Sequence, residues 1–163
     1  MTVGACLAIT TLTAVRTSEP RIADVLQRLV NYSATAARLA ERIEHSDLIV
    51  YVEPGFCRSR LAQSCFMVLP SPSGRRYARI TVPLSISTFR MASLIGHELQ
   101  HAVEVADAPS VVDPQTLVWW FGRIGFRIDA ETFETQTAKR VEQIIHRELV
   151  GPTRSGCRPS PLE

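Results

Sequence analysis

The chain has 163 residues, enough to bury one hydrophobic core and too few for two. Hydrophobic residues make up 45% and charged residues 21%, which excludes disorder over the whole chain. Lys+Arg is 18 against Asp+Glu 16, no Lys/Arg run exceeds a pair, and no uncharged apolar run is as long as a membrane span; neither nucleic acid nor a stable membrane span is therefore expected as a partner.

In chain order, residues 1–17 come first. Val3 to Val15 is uncharged and mostly apolar or small, the length of a secretory h-region but without a basic n-region. It reads either as a signal-like segment or as a buried strand or helix. Residues 18–150 read as a single domain. Residues 151–163, rich in Pro, Gly and Ser, read as a disordered tail. The four cysteines, Cys6, Cys57, Cys65 and Cys157, form no Cys-x-x-Cys pair. Cys57 and Cys65 can close a short loop as a disulfide in an exported chain, or pack as reduced thiols. An exported chain, periplasmic or secreted, is slightly favoured over a cytoplasmic one.

Within the domain, Ser18 is read as the N-cap of a helix with Pro20 in its first turn. Apolar residues from Ile22 to Ile43 recur at helical spacing to about Glu44. Three strand-like runs follow: Asp47–Glu53, Leu61–Leu69 and Arg76–Val82. The turn signal Pro70-Ser-Pro-Ser-Gly predicts a hairpin between the last two. The proline-free stretch after Pro83 predicts a helix capped by Ser87 or Thr88 and running to about Ala106. Asp113-Pro114 predicts a short helix over Gln115 to Phe121, and a last helix is expected from about Ala130 to Leu149. The order is one helix, a small antiparallel three-stranded sheet and three helices: an α+β domain.

Residues 97–101 read His-Glu-Leu-Gln-His. On a helix, His97 and His101 stand one turn apart on one face, so both imidazoles can reach one Zn²⁺ at about 2.0–2.1 Å. Glu98 is angled away from the metal and can act as general base toward a zinc-activated water. Met91, Leu94, Ile95, Leu99, Ala102, Val105 and Ala106 share one broad face, with His97, His101 and Glu104 opposite. The competing reading is an amphipathic helix whose solvated face happens to carry these residues.

A catalytic zinc site needs a third protein ligand. The continuation H-x-x-G-x-x-H is absent, because Glu104 and Asp107 hold those positions, and the remaining histidines are His45 and His146. A glutamate is therefore expected. Glu104 lies about 10 Å along the same helix from His97, which strains a shared ion, so it is read as a residue behind a ligand or a surface charge. Glu131 and Glu134 open the expected last helix. Glu134 falls in the middle of its apolar stripe, in phase with Ala138, Val141 and Ile145, whereas Glu131 falls toward the edge. Glu134 is the preferred third ligand. An inward glutamate paired with Arg123 or Arg127 is the alternative.

Leu94-Ile-Gly-His-Glu-Leu-Gln-His-Ala-Val103 matches the extended signature of the zincin metallopeptidases, and the stretch from Leu94 to Leu149 resembles their gluzincin branch. With Arg76-Tyr-Ala-Arg-Ile and Phe133-Glu-Thr it is also similar to small uncharacterised bacterial proteins carrying His-Glu-Leu-Gln-His-Ala. The resemblance implies a zincin-like core, with an antiparallel sheet over an active-site helix and the third ligand on a later helix. It also implies that a strand near the cleft, Arg79–Val82, binds substrate backbone by strand addition. The function expected is a zinc-dependent metallopeptidase acting on a peptide or protein, with Glu98 as base and Tyr77, Arg140 or His146 as candidate oxyanion stabilisers. The alternative is a non-catalytic zincin-like module that holds zinc or a partner.

Overall fold

The computed structural model describes residues 12–71, 74–130 and 132–151. The readings of the first eleven residues, of Cys6, of Glu131 and of the tail from 152 onward, including Cys157, fall outside the described residues. The elements are β1 (Val15–Arg16), α1 (Pro20–Tyr32), α2 (Ala34–Glu44), β2 (Leu48–Pro54), β3 (Cys65–Leu69), β4 (Arg76–Val82), α3 (Thr88–Ala106), α4 (Pro114–Ile124), β5 (Phe126–Arg127), β6 (Phe133–Glu134) and α5 (Gln136–Val150). The architecture is α+β, as expected. Among the described residues, no helix is long and apolar enough to cross a membrane.

The sheet differs from expectation. It is four-stranded and mixed, in the order β1-β2-β4-β3. β1 pairs parallel with β2 and β2 with β4, and the predicted β3–β4 hairpin is antiparallel. Helices α1 and α2 return the chain to the starting end between β1 and β2, as a parallel pair requires. Leu48, Ile49, Val50 and Val52 of β2 are buried, the near-continuous apolar run expected of an inner parallel strand. β4 is also internal, so Arg79–Val82 has no free edge. Of the four-stranded sheet, the strand that lines the cleft described below is β3, at the sheet's edge.

The expected single N-terminal helix is two helices, and its cap is Glu19 rather than Ser18. The break is at Ser33, whose hydroxyl accepts from the Ala36 N–H at 3.0 Å and donates to Glu148 at 2.5 Å. Glu148 also accepts from Thr35 Oγ1 at 2.9 Å. A carboxylate from α5 thus satisfies the start of α2, which makes the break cheaper than an unbroken helix with these groups unpaired.

Helix α3 is central rather than amphipathic. Every residue from Met91 to Val103 is buried, between the sheet on one side and α1, α2 and α5 on the other. Gly96 allows this: a Cβ there would stand 2.4 Å from Ile145 Cδ1 of α5. The C-terminal end of α3 is held by Arg76, which is buried on β4. Its guanidinium donates to the carbonyls of Val105 at 2.7 Å and Ala108 at 2.9 Å, and to both oxygens of Asp47 at 2.6 and 2.8 Å. The guanidinium beside Asp47 holds that carboxyl below its ordinary range. Arg76→Ala should lower stability by about 3 kcal/mol, since it strands buried carbonyls and an ion-pair partner; Arg76→Lys should fall between the two. Denaturant midpoints at constant m-value are the check.

Candidate metal centre

Two elements, α3 and β6, supply the three groups of the centre. Ser87 caps the start of α3 by accepting from the Arg90 N–H at 3.2 Å, and the helix then carries His97, Glu98 and His101 into the interior. The third group comes from β6, a correction to the expected placement of Glu134 inside the last helix. Thr135 is the N-cap of α5, its hydroxyl accepting from the Ala138 N–H at 3.1 Å, so the helix begins at Gln136. The apolar stripe of Ala138, Val141 and Ile145 is buried as expected, but its phase runs back past the cap into a strand. Gly125 permits the β5–β6 pairing that positions Glu134, because a Cβ there would lie 2.3 Å from the Glu134 carbonyl oxygen.

Glu134 Oε2 is 3.3 Å from His97 Nε2, and its Oε1 is 3.4 Å from His101 Nε2. One donor atom from each of the three residues can be chosen so that all lie within 4.8 Å of one another, and all three side chains are buried. A tetrahedral ion with bonds of about 2.0–2.1 Å separates its donors by about 3.3 Å, so the set fits a small divalent cation with imidazole and carboxylate ligands.

Behind the histidines stand two more carboxylates. Glu142 Oε2 is 3.0 Å from His97 Nδ1, and Glu104 Oε2 is 2.9 Å from His101 Nδ1. Glu104 also accepts from Thr135 Oγ1 at 2.8 Å, and Glu142 accepts from Arg90 at 2.6 Å. Glu104 therefore has the first of its two expected roles, behind a histidine rather than out in solvent. A carboxylate on each Nδ1 orients the ring and, in the neutral imidazole, directs the lone pair of Nε2 inward.

The electrostatics point the same way. Glu98, Glu104, Glu134 and Glu142 surround two imidazoles, with Arg90 the cation paired into the group. With Glu134 and Glu142 held ionised and Arg90 the paired cation, neutral histidines would leave excess negative charge in a half-closed site. Burial disfavours charge on His97, but Glu134 and Glu142 override it and raise its pKa to about 10. Burial likewise opposes charge on His101, and Glu104 and Glu134 raise it to about 9. Burial would raise Glu134, yet the two imidazoles hold it well below the carboxylate range. His97 holds Glu142 low, against burial and with help from Arg90. The site is built to contain positive charge, as protons or as a metal.

His97, Glu98, His101, Glu134, Glu142 and Arg90 line a cleft of about 330 Å³ whose walls include Phe66, Leu117 and Phe121, and Glu104 stands behind it. The Phe121 ring centroid is 5.0 Å from that of His101. Tyr77, Arg140 and His146 do not line it: Tyr77 stacks on Tyr51, Arg140 is exposed on α5, and His146 packs edge-on against Phe89. Arg123 and Arg127 lie over the rings of Trp119 and Phe133 rather than beside Glu134. Reading the sequence missed Arg90 and Glu142. Their signals were the two-turn spacing from Arg90 to His97 and the place of Glu142 next to Val141 on the inward stripe of α5. Comparison with protein-family models, curated proteins and solved structures finds no match.

Glu134→Ala should abolish tight zinc binding, whereas Glu104→Ala and Glu142→Ala should each weaken it by about 10–100-fold; competition against a chelating dye measures all three. With both imidazole pKa values raised, zinc uptake at pH 7 should release about two protons, read from the buffer dependence of the calorimetric enthalpy. For the metal-free protein the sign follows from the raised values. The stabilisation from the charged imidazoles is full below 6.5 and is lost as the pH rises through about 9 to 10, so its melting temperature should fall over that range.

Proposed function

We propose that this protein is a zinc-dependent metallopeptidase of zincin-like architecture. The observation that carries the reading is the convergence of His97, His101 and Glu134 at a cleft, with the buried carboxylate of Glu98 on the same helix turn. When bound by these three residues, zinc supplies Lewis acidity, acidifying water and polarising a carbonyl. Glu98 takes a proton from the attacking water and returns it to the leaving amine. Glu104 and Glu142 hold the imidazoles in register, and Arg90 keeps Glu142 ionised. Retention of a buried carboxylate next to His97 supports catalysis over a purely structural zinc, which needs no base.

An extended peptide is the substrate form that fits. β3 is at the sheet edge and carries Cys65 and Phe66 on the cleft, so a substrate backbone can pair along it. Leu61, Val118 and Ile128 come from three separate segments, are all exposed, and line the same cleft. Exposed apolar side chains gathered at one opening suit a bulky apolar side chain of the substrate. The Cys57–Cys65 disulfide supports an oxidising compartment and hence an exported chain.

Glu98→Gln is the test. The variant should keep zinc and its melting temperature, while hydrolysis of an unbiased peptide library falls by about 10²–10⁴-fold. Loss of zinc in Glu98→Gln would make Glu98 a ligand or its support. A zinc-loaded wild type that cleaves nothing would leave a zinc- or partner-binding module instead.

A further inference from the structure

The segment between β2 and β3 is closed on itself by the disulfide from Cys57 to Cys65. Phe56, Arg58, Arg60 and Leu61 are all exposed, and the Ser59 hydroxyl ties the loop to the β5–β6 connection by donating to Asp129 Oδ2. The loop's last two residues before Cys65 reach both halves of the site. The Ser64 hydroxyl, itself buried, donates to Glu98 Oε1 at 2.6 Å. Gln63 Oε1 accepts from Arg90 Nε at 2.9 Å and Nη2 at 2.8 Å, and the same guanidinium holds Glu142 against His97.

We propose that Ser64 is a positioning residue for Glu98, held in place by the disulfide-closed loop, so that the loop belongs to the catalytic apparatus rather than to the fold. The inference rests on the hydrolytic reading of Glu98 given above. A glutamate has three side-chain torsions, and the last, between sp³ and sp² carbons, is broad. A carboxylate that must collect a proton at one point needs that torsion fixed. A hydroxyl donor on Oε1 fixes it through a short, charge-assisted hydrogen bond and leaves Oε2 as the oxygen that accepts the proton. Ser64 can do this only if its own backbone is held. The covalent link at the next residue, Cys65, adds to the Ser59–Asp129 hydrogen bond in doing so, and β3 anchors Cys65 in turn through its pairing with Thr81 of β4.

The test compares Ser64→Ala, Ser64→Thr and Cys57→Ser with the wild type, each in zinc-loaded full-length protein. Zinc occupancy should be unchanged in Ser64→Ala and the melting temperature lowered by only a few degrees, about as expected for one lost hydrogen bond, with kcat about tenfold lower, KM unaltered, and recovery of kcat in Ser64→Thr. In a Glu98→Gln background, Ser64→Ala should have no further effect, because the residue acts through Glu98. A drop in kcat of equal size in that background would overturn the proposal, as would a loss confined to KM or to zinc. A readout independent of turnover is the crystal structure of each variant. The Glu98 carboxylate should hold its torsion in wild type and Ser64→Thr and rotate in Ser64→Ala and Cys57→Ser. An unchanged Glu98 torsion in both of the latter overturns the proposal whether or not any peptide is cleaved. Failure of Glu98→Gln to reduce hydrolysis overturns instead the role of Glu98 from which it starts.

Discussion

Four carboxylates around two imidazoles, sunk into the side of a buried helix, form an arrangement that favours positive charge at its centre. Glu134 faces both Nε2 atoms while Glu104 and Glu142 face the two Nδ1 atoms. Arg90 compensates one of these charges. The rest must be met by protons on the histidines or by a cation, and the raised pKa values of His97 and His101 express that demand. A divalent ion, as proposed here, can bind three donors at once and leave each Nδ1–H paired with its carboxylate.

The surrounding fold can be understood as the means of bringing those groups to one point. α3 must be rigid and buried, so its end is gripped by Arg76 and its middle is packed against α5 across Gly96. That close approach puts Glu142 within reach of His97. Glu134 arrives from outside the helices, on a two-residue strand allowed by Gly125 and ended by the Thr135 cap. Thr135 serves twice, since its hydroxyl also donates to Glu104 and so ties the start of α5 to the support of His101. Small changes at positions outside the group, such as Gly96 or Thr135, would therefore displace the three residues proposed to hold an ion.

What could be read in the sequence follows from how local its cause is. The helix capped by Ser87 and running to Ala106 and the β3–β4 hairpin rest on neighbouring residues, a cap and a turn, and both form as expected, although β3 begins at Cys65 rather than Leu61 because residues 61–64 belong to the disulfide-closed loop. The pairing of β1, β2 and β4 depends on partners far along the chain, so an antiparallel sheet was expected where a mixed one forms. Ser33 ends a helix because Glu148, more than a hundred residues on, satisfies its hydroxyl. Nothing near Ser33 announces that. His97, Glu98 and His101 were legible through their spacing. Glu134 was singled out for an inward-facing carboxylate that needs a partner, and the structure does bring it to both histidines. The helix on which that reasoning set it begins two residues later. Glu142 and Arg90 act through contacts made only once α3 and α5 are packed together, so pattern alone did not mark them.

The central claim is that His97, His101 and Glu134 bind one zinc ion through Nε2, Nε2 and a carboxylate oxygen. Anomalous diffraction collected on both sides of the zinc absorption edge from crystals of the full-length protein tests it most directly. The account predicts a single strong peak per chain at about 2.0–2.2 Å from those three atoms, with the Nδ1 atoms still facing Glu142 and Glu104. A peak bound by Glu104 or Glu142 in place of Glu134, or no peak in zinc-supplemented crystals, would contradict it.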